Sequence, residues 1–254
     1  MKQLIIFMKK EIFEAFKTKK LLIIAVSFLA LGIMNPLIAK LTPEIMKSTL
    51  PKGISLEIPA PTSLDSWSQF FKNINQLGLI VLLILFCEIL AREIETGSLI
   101  NLLTKGLSRT VIVLCKQFFL WGVWTVALFL SFIVTYFYTK FYFPDDLSPA
   151  IFPAIFSLWL FGLLMFAVLL LGSALAKSGF QGLFLVLLFY GGGIFSTMFT
   201  KIDYYNPFAL STKNMLFLQE RADLGDFLPA IALTTLLTLV ILWLSIKIFS
   251  KKRL

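Results

Sequence analysis

The chain has 254 residues, of which 58% are hydrophobic and 15% are charged, with a mean hydropathy of +0.89. Soluble domains are about 45–50% apolar and about 25% charged, so this composition excludes an ordinary soluble domain. The net charge is +9, but the lysines lie at the ends of apolar runs, which argues against nucleic-acid binding. Histidine, the commonest general base and zinc ligand, is absent. Cys87 and Cys115 are expected to behave as small apolar residues.

Residues 1–20 are predicted to form an amphipathic helix in the membrane interface. Their apolar side chains share an arc of roughly 120° on a helical wheel, and the lysines outside it suit anionic head groups. The functional interpretation is an elbow helix that tilts with the first membrane span, and the alternative is a fixed topology anchor. The apolar residues of this arc are Leu4, Ile5, Met8, Ile12, Ala15 and Phe16.

Six apolar runs of the length needed to cross a hydrocarbon core of about 30 Å predict six transmembrane helices. The second run is short, so its helix is expected to begin earlier, near residues 67–73. The runs cover about 21–39, 77–90, 111–138, 151–176, 180–198 and 227–248. The sequence therefore predicts an all-α membrane protein with a single transmembrane domain over residues 1–254.

The distribution of charge predicts the orientation of these spans. Fifteen of the 23 Lys and Arg residues, but five of the 14 acidic residues, fall on the side that carries both termini. Cytoplasmic segments carry an excess of Lys and Arg, so both termini and the segment 92–110 are predicted to be cytoplasmic. The outer loops are then 40–76, which is rich in proline and expected to be partly irregular, 139–150, and 199–226, with short helices beginning at Asn206-Pro207.

The segment 92–110, REIETGSLINLLTKGLSRT, is a polar, helix-prone island between the second and third runs. Glu88 and Arg92 have the i, i+4 spacing of a helical ion pair. Glu93 and Glu95 suit the start of a helix, where the helix dipole favours acidic residues.

Two glycines and a group of apolar residues complete this island. Gly97 permits close approach of another backbone, and Gly106 is expected to end the helix. The apolar residues are expected to form an exposed cluster rimmed by charge, which is typical of a partner-binding surface. The alternative is that they dip into the membrane interface. They are Leu99, Ile100, Leu102 and Leu103.

The island resembles the cytoplasmic loop of ABC-2 type transporter permeases. That family's usual pattern is E-x-E-x-G-[TS], a Leu pair, a turn with Pro or Gly, Ser-Arg and a later Lys. The chain departs from it at Lys105-Gly106-Leu107, where proline is common. The resemblance extends over the whole chain, from the basic amphipathic N-terminus to the basic tail after the last run. The matching residues of the island are Glu93, Glu95, Gly97-Ser98, Leu102-Leu103, Gly106, Ser108-Arg109 and Lys116.

This resemblance implies a coupling helix that seats in a groove of a separate ABC ATPase subunit. It also implies a second permease copy, as a homodimer or a heterodimer, in a bacterial plasma membrane, with ATP and Mg²⁺ bound by the ATPase. The chain itself has no G-x-x-x-x-G-K-[ST] phosphate loop, so it is not expected to be an enzyme or to hold a cofactor or metal. The residues implied for coupling are Glu93, Glu95, Thr96, Gly97, Ser98, Leu99, Leu102, Leu103, Ser108 and Arg109.

The fifth run contains three consecutive glycines, Gly191, Gly192 and Gly193. Glycine weakens a helix by roughly 1 kcal/mol relative to alanine and lets helix backbones approach closely. The functional interpretation is a hinge or a dimer contact, and the alternative is ordinary helix packing. Gly162 and Gly172 of the fourth run are expected to be packing residues.

The expected function is ATP-driven export. A pathway with few intramembrane charges suits an amphipathic or hydrophobic cargo, such as a peptide, an antimicrobial or a lipid-linked molecule. Two other functions remain open: a membrane scaffold or sensor without transport, and a carrier driven by an ion gradient. A bound ATPase distinguishes the exporter from the scaffold, and dependence of transport on an ion gradient identifies the carrier.

Overall fold

The computed structural model describes residues 2–49, 59–104, 106–145, 147–176, 179–197 and 204–252, and all regular structure in these ranges is helical. The fold class is therefore all-α, as predicted. The helices are α1 (Lys2–Lys17), α2 (Lys20–Thr49), α3 (Ser63–Asn73), α4 (Leu79–Phe86), α5 (Ala91–Glu95), α6 (Ser98–Thr104), α7 (Arg109–Tyr142), α8 (Ile151–Leu175), α9 (Gly179–Ser196), α10 (Ala209–Thr212), α11 (Asn214–Leu218) and α12 (Leu228–Lys251).

Among the described residues, five helical stretches are long and apolar enough to cross a membrane. They are Lys20–Ser48, Ser63–Glu95, Arg109–Tyr142, Ile151–Leu175 and Leu228–Lys251. The remaining predicted span, the fifth in chain order, corresponds to α9, whose 18 residues extend about 27 Å at 1.5 Å per residue, slightly less than a hydrocarbon core of about 30 Å. Length and composition thus establish five candidate spans, and the count of six stays a prediction.

Helical structure extends from both sides into residues 40–76, which were predicted to form a partly irregular outer loop. α2 continues to Thr49 through two prolines, and α3 begins at Ser63. A proline within a helix leaves the carbonyl four residues earlier without its backbone donor. For Pro36 this is the carbonyl of Gly32, which instead accepts a hydrogen bond from Thr135 Oγ1 of α7 at 3.0 Å. The neighbouring helix thus supplies the missing donor, as membrane helices with internal prolines require.

The second candidate span is a chain of short helical pieces. One turn of π-helix, Ile74–Gly78, joins α3 to α4, and a tight turn over residues 87–90 separates α4 from α5. The backbone N–H groups of Leu90 and Ala91 donate to Ser173 Oγ of α8 at 3.1 and 3.0 Å. Lys20 Nζ donates to the carbonyl of Leu85 at 2.7 Å. Side chains from two other helices therefore satisfy the backbone groups that the break exposes.

α8 is the most buried of the candidate spans, and α7, α9 and α12 pack around it. Two glycines allow this close packing. A Cβ on Gly162 would lie 2.1 Å from the ring of Trp124 in α7, and a Cβ on Gly172 would lie 2.8 Å from the carbonyl oxygen of Gly182 in α9. The prediction that Gly162 and Gly172 are packing residues is confirmed.

The bundle has two ends. α1, the segment 92–110 and the last turn of α12 lie together at one end, which we call the proximal end: α1 is ion-paired to α5, and Arg109 contacts Lys252. The start of α3 lies at the opposite, distal end, where Asp145 accepts a hydrogen bond from the Ser63 backbone N–H at 2.9 Å. The three parts of the chain that were predicted to share one side of the membrane therefore do lie together.

Candidate coupling site

A cluster of five charged side chains joins three helices at the proximal end. We call it the ionic cluster: Lys10, Glu11 and Glu14 of α1, Glu93 of α5 and Lys116 of α7. Lys116 is 1% exposed, and Glu11 and Glu93 are also buried. An ion held out of water is tolerated only when it is paired. The buried Lys116 is accordingly paired with the two buried acids, Glu11 and Glu93.

The two lysines share the same acids. Lys116 Nζ lies 3.0 Å from Glu11 Oε1 and 2.8 Å from Glu93 Oε2. Lys10 Nζ lies 3.1 Å from Glu11 Oε1 and 2.7 Å from Glu14 Oε2, and it also pairs with Glu93 Oε1. Each carboxylate of Glu11 and Glu93 therefore meets two ammonium groups, which ties α1, α5 and α7 together.

The carboxylates of the ionic cluster are engaged by lysines. Oxygen atoms of Glu11, Glu14 and Glu93 lie within 4.8 Å of one another, close enough to share a metal ion. The ammonium groups of Lys10 and Lys116 already lie against these oxygens. The two ammonium groups thus offset two of the three carboxylate charges, and a small cavity of about 50 Å³ beside them is lined by the same acids.

Lys10 is firmly in its charged form. Partial burial lowers the pKa of its ammonium group, but the adjacent carboxylates of Glu11, Glu14 and Glu93 outweigh that effect and hold the pKa above its ordinary value. Because the folded-state pKa is raised, this contribution to stability is complete below the unfolded pKa and is lost only as the pH rises through the folded value. The ion pairs of Lys10 are therefore intact at physiological pH.

The island folds as two short helices with a sharp turn between them. Gly97 has φ of +66° and Gly106 has φ of +87°, a left-handed conformation that L-residues rarely adopt. Gly97 ends α5 and Gly106 follows α6, so the prediction that Gly106 breaks the helix is confirmed. Among the described residues of this chain a Cβ on Gly97 would meet only the Ile100 side chain, at 3.7 Å, so close approach of another backbone at Gly97 stays a prediction. The backbone conformation, not the space, requires glycine.

The apolar residues of the island do not form one exposed patch. Leu99 is fully buried, and Leu103 is partly buried against the core. The prediction that these leucines are uncovered is wrong, because α6 folds back onto the bundle and the core covers them. The side chain of Leu102 lies outside the described residues. Among the described side chains of the segment, the exposed residues are instead Arg92, Glu95, Thr96, Ser98, Ile100, Thr104, Gly106, Ser108 and Thr110.

The i, i+4 pair predicted between Glu88 and Arg92 does not form in the described part of the chain, where the ion pairs gather around Lys10 and Lys116. The backbone N–H of Arg92 still donates to the Glu88 carbonyl at 3.1 Å, but the two side chains do not pair. Both side chains are exposed at the proximal end.

Ser108 and Arg109 act at helix ends. Ser108 is the N-cap of α7, and its hydroxyl accepts a hydrogen bond from the Val111 backbone N–H. Arg109 Nη1 donates to the last carbonyls of α12, at 3.2 Å from Phe249 O, 2.9 Å from Ser250 O and 2.6 Å from Lys252 O. A cation at a helix C-terminus satisfies orphan carbonyls and complements the helix dipole.

Lys252 likewise satisfies backbone carbonyls at a helix C-terminus, that of α8. Its Nζ donates to the carbonyls of Ala174 and Ala176, at 2.7 and 2.9 Å, at the end of α8. Burial lowers the pKa of this ammonium group from its ordinary value. Arg109 and Lys252 therefore fasten the start of α7 to the ends of α12 and α8.

The predicted elbow helix exists as α1, but the protein buries only part of its apolar arc. Leu4 and Met8 pack partly against the core, and the fully buried face is formed by Phe7, Glu11 and Ala15. Exposed apolar residues remain on the outer side of α1, as a helix in a membrane interface requires. Of the predicted residues, these are Ile5, Ile12 and Phe16.

The three glycines of α9 differ in their surroundings. A Cβ on Gly191 or Gly192 would meet nothing within 4 Å, whereas a Cβ on Gly193 would lie 1.9 Å from the ring of Phe208. Packing therefore explains Gly193 and leaves the hinge or dimer interpretation open for the other two. The helix is continuous through all three residues.

Sequence reasoning missed Lys10, Glu11 and Lys116 as a constellation, although Lys116 belongs to the family pattern. One signal was present: Lys116 lies seven residues inside α7, and a cation within a membrane helix is expected to have a partner. The identity of that partner was hidden, because Glu11 lies 105 residues away in the chain.

The described residues define a helical protein with five candidate membrane spans and an ionic cluster at its proximal end. Searches against protein-family models and against curated proteins find no match to the chain.

Proposed function

We propose that the chain is the membrane-spanning subunit of an ATP-binding cassette exporter of the ABC-2 type. In this proposal the segment 92–110 is the coupling element that receives motion from a separate ATPase subunit. The observation that carries it is the division of the motif into two faces. Glu93 is buried in the ionic cluster, while Glu95, Thr96 and Ser98 are exposed at the proximal end.

This division suits the transmission of force. The exposed face offers carboxylate, hydroxyl and apolar groups to a soluble partner, with Ile100 45% exposed at its centre. The buried face is held to α1 through Lys10 and to α7 through Lys116. A partner that displaces α5 and α6 therefore moves the elbow helix and a long membrane helix with them, because the buried charges resist separation.

A second permease copy is part of the proposal. α2 leaves a stripe of apolar side chains uncovered, at the three- and four-residue spacing of one helix face. A second copy packed there would place a pathway between two bundles, as the family resemblance implies. The stripe consists of Leu22, Val26, Leu29, Ile33 and Leu37.

The cargo in this proposal is amphipathic or hydrophobic. The ion pairs among the described residues lie at the proximal end and not along the middle of the bundle, so a free ion would find no charged relay through the membrane. A hydrophobic peptide, an antimicrobial or a lipid-linked molecule fits that environment better.

The test is whether an ATPase co-purifies with the chain and whether its binding requires the exposed face of the segment 92–110. The full chain is purified in mild detergent from the cells that naturally produce it, and ATP hydrolysis of the preparation is measured. We expect hydrolysis with the wild type and its loss with Ile100→Arg, because a charge replaces an apolar contact at the centre of the interface. The matched control is Leu147→Arg, which makes the same change at a distal residue that is 49% exposed.

Three results would overturn the proposal. The first is a wild-type preparation without associated ATP hydrolysis. The second is equal hydrolysis with Ile100→Arg and wild type, and the third is equal loss with Leu147→Arg. If no ATPase is associated and the chain in vesicles transports a substrate only when an ion gradient is present, the protein is a carrier. If it transports nothing, it is a scaffold or sensor.

A further inference from the structure

A groove of about 420 Å³ opens between α1, the start of α2 and the middle of α7. Its volume falls in the range of sites that hold small molecules, about 300–1,000 Å³. No charged residue lines it, and it lies on the face of α1 beside the ionic cluster. Among its lining residues are Met8, Ile12, Ile24, Phe118, Gly122 and Val126.

The described side chains of the protein leave this groove unfilled. A Cβ on Gly122, in its wall, would meet nothing within 4 Å. Protein interiors are packed to the density of organic crystals, and an unfilled apolar wall forgoes its dispersion contacts. In a bilayer the groove can therefore hold a hydrocarbon chain that does not belong to the protein.

Two exposed lysines lie close in the chain to lining residues of the groove. Lys9 follows Met8 in α1, and Lys19 lies two residues before Leu21 of α2. Within the described chain neither forms an ion pair, since the pairs there are made by Lys10 and Lys116. At 100° per residue, Lys9 is roughly 60° from Ile12 around the helix and Lys17 is roughly 140° away. Lys9 thus borders the groove, and Lys17 faces away from it.

We propose that this groove binds an anionic phospholipid, with one acyl chain along the apolar wall and the headgroup phosphate between Lys9 and Lys19. An apolar slot rimmed by cations at one end has the charge pattern of such a lipid. A second copy of this chain suits the groove less well. A two-fold contact would bring the basic rims of two chains, each with a net charge of +9, against one another.

The proposal requires the chain to lie in a bilayer and does not depend on ATP-driven transport. It also concerns a different face of α2 from the apolar stripe through Val26 and Leu29. The lipid site and the proposed function can therefore fail separately, because lipid binding is measured on the purified chain without any ATPase.

The experiment measures lipid binding by the full chain after delipidation in detergent. Phosphatidylglycerol and phosphatidylcholine with identical acyl chains are added, and bound lipids are counted by native mass spectrometry. We expect wild type to retain phosphatidylglycerol and Gly122→Leu to lose most of it, because the new side chain fills the groove. Gly191→Leu is the matched control, since it adds the same bulk at another helical glycine with open surroundings.

A second pair of variants tests the basic rim. Removing one lysine near a membrane surface is expected to weaken binding of an anionic lipid about fivefold, so Lys9→Gln should reduce phosphatidylglycerol binding and leave phosphatidylcholine binding unchanged. Lys17→Gln is the control on the far side of the same helix.

Ala25→Leu, a second change in the lining of the groove, replaces Gly122→Leu if that variant fails to fold.

The proposal is overturned if Gly122→Leu and Gly191→Leu bind equal amounts of lipid, which indicates annular lipid only. It is also overturned if phosphatidylcholine binds as well as phosphatidylglycerol, or if Lys9→Gln and Lys17→Gln behave alike. Loss of a dimer with Gly122→Leu, at unchanged lipid binding, assigns the groove to a second copy instead.

Discussion

Lys116 of α7 and Glu93 of α5 form an ion pair at 2.8 Å inside the proximal end of the bundle. The lysine belongs to a long helix that crosses the whole bundle, and the glutamate belongs to the short helix that begins the island. The pair is almost inaccessible to water, so its two partners depend on one another. The exposed face of the segment 92–110 is consequently held to the bundle through this buried pair.

Removing the buried lysine should destabilise the protein strongly. Lys116→Met leaves Glu11 and Glu93 buried with only Lys10 to pair with, and breaking a buried ion pair costs about 3–5 kcal/mol. The measurement is thermal unfolding in detergent, followed by labelling of the buried thiol of Cys115. Lys17→Met is the control, because Lys17 is exposed. Equal unfolding temperatures for Lys116→Met and wild type would contradict a structural role for the ionic cluster.

Gly97 has a left-handed backbone conformation, whereas Gly191 lies in the interior of a helix. Replacement by alanine should therefore have opposite effects on stability at these two glycines. Gly97→Ala should cost about 1–2 kcal/mol, and Gly97→Asn should cost less, because asparagine tolerates this conformation. Gly191→Ala, in the interior of α9, should instead be neutral or stabilising by up to about 1 kcal/mol. Unfolding temperatures of the three variants measure the difference. A Gly97→Ala protein as stable as wild type would show that the turn after α5 takes another conformation.

The contacts of Arg109 predict where the last helix loosens. Arg109→Met removes the donor that satisfies the carbonyls of Phe249, Ser250 and Lys252, so amide exchange should become faster over residues 245–252. Hydrogen–deuterium exchange with mass spectrometry measures this change. Arg92→Met, at an exposed arginine in the same segment, should leave that exchange as in wild type. If both variants loosen α12 alike, the effect is one of charge and not of the hydrogen bonds.

The contact between Gly193 and Phe208 predicts a coupled pair. Gly193→Ala drives a methyl group into the aromatic ring and should destabilise the protein by about 1–3 kcal/mol, the usual cost of overpacking. Gly192→Ala, with open surroundings, should not. Phe208→Leu should make Gly193→Ala less harmful, and a double-mutant cycle measures that coupling. Additive effects of the two substitutions would mean that the side chains do not meet.

Several features of the fold were readable from local pattern. Apolar runs of membrane length predicted the long helices, and Gly106 predicted the end of α6, because hydropathy and glycine act through a few neighbouring residues. Pro43 belongs to the predicted loop 40–76 but lies inside α2. For Pro36, in the first predicted run, Thr135 supplies a donor to the carbonyl of Gly32, and residues so distant in the chain leave no common local pattern.

The residues of the candidate site were also predicted only in part from the sequence. The sequence marked Glu93, Gly97 and Arg109 as members of one motif. The structure assigns them different tasks: Glu93 pairs with buried lysines, Gly97 makes a left-handed turn, and Arg109 satisfies the end of α12. Ile100 remains exposed as expected, whereas Leu99 is covered by the core. Which side of a short helix is buried depends on what packs against it, and a short amphipathic segment is compatible with either orientation.

By itself the sequence determined an all-α fold, the approximate positions of the membrane-length helices, and a polar, helix-breaking island between two of them. These properties follow from the hydropathy and backbone preferences of neighbouring residues. Only the tertiary structure decided that Lys10 and Lys116 meet Glu93 and Glu11, across sequence separations of 83 and 105 residues. Those partners are selected because a charge buried in the folded bundle is costly unless it is paired, and an isolated segment in water imposes no such cost.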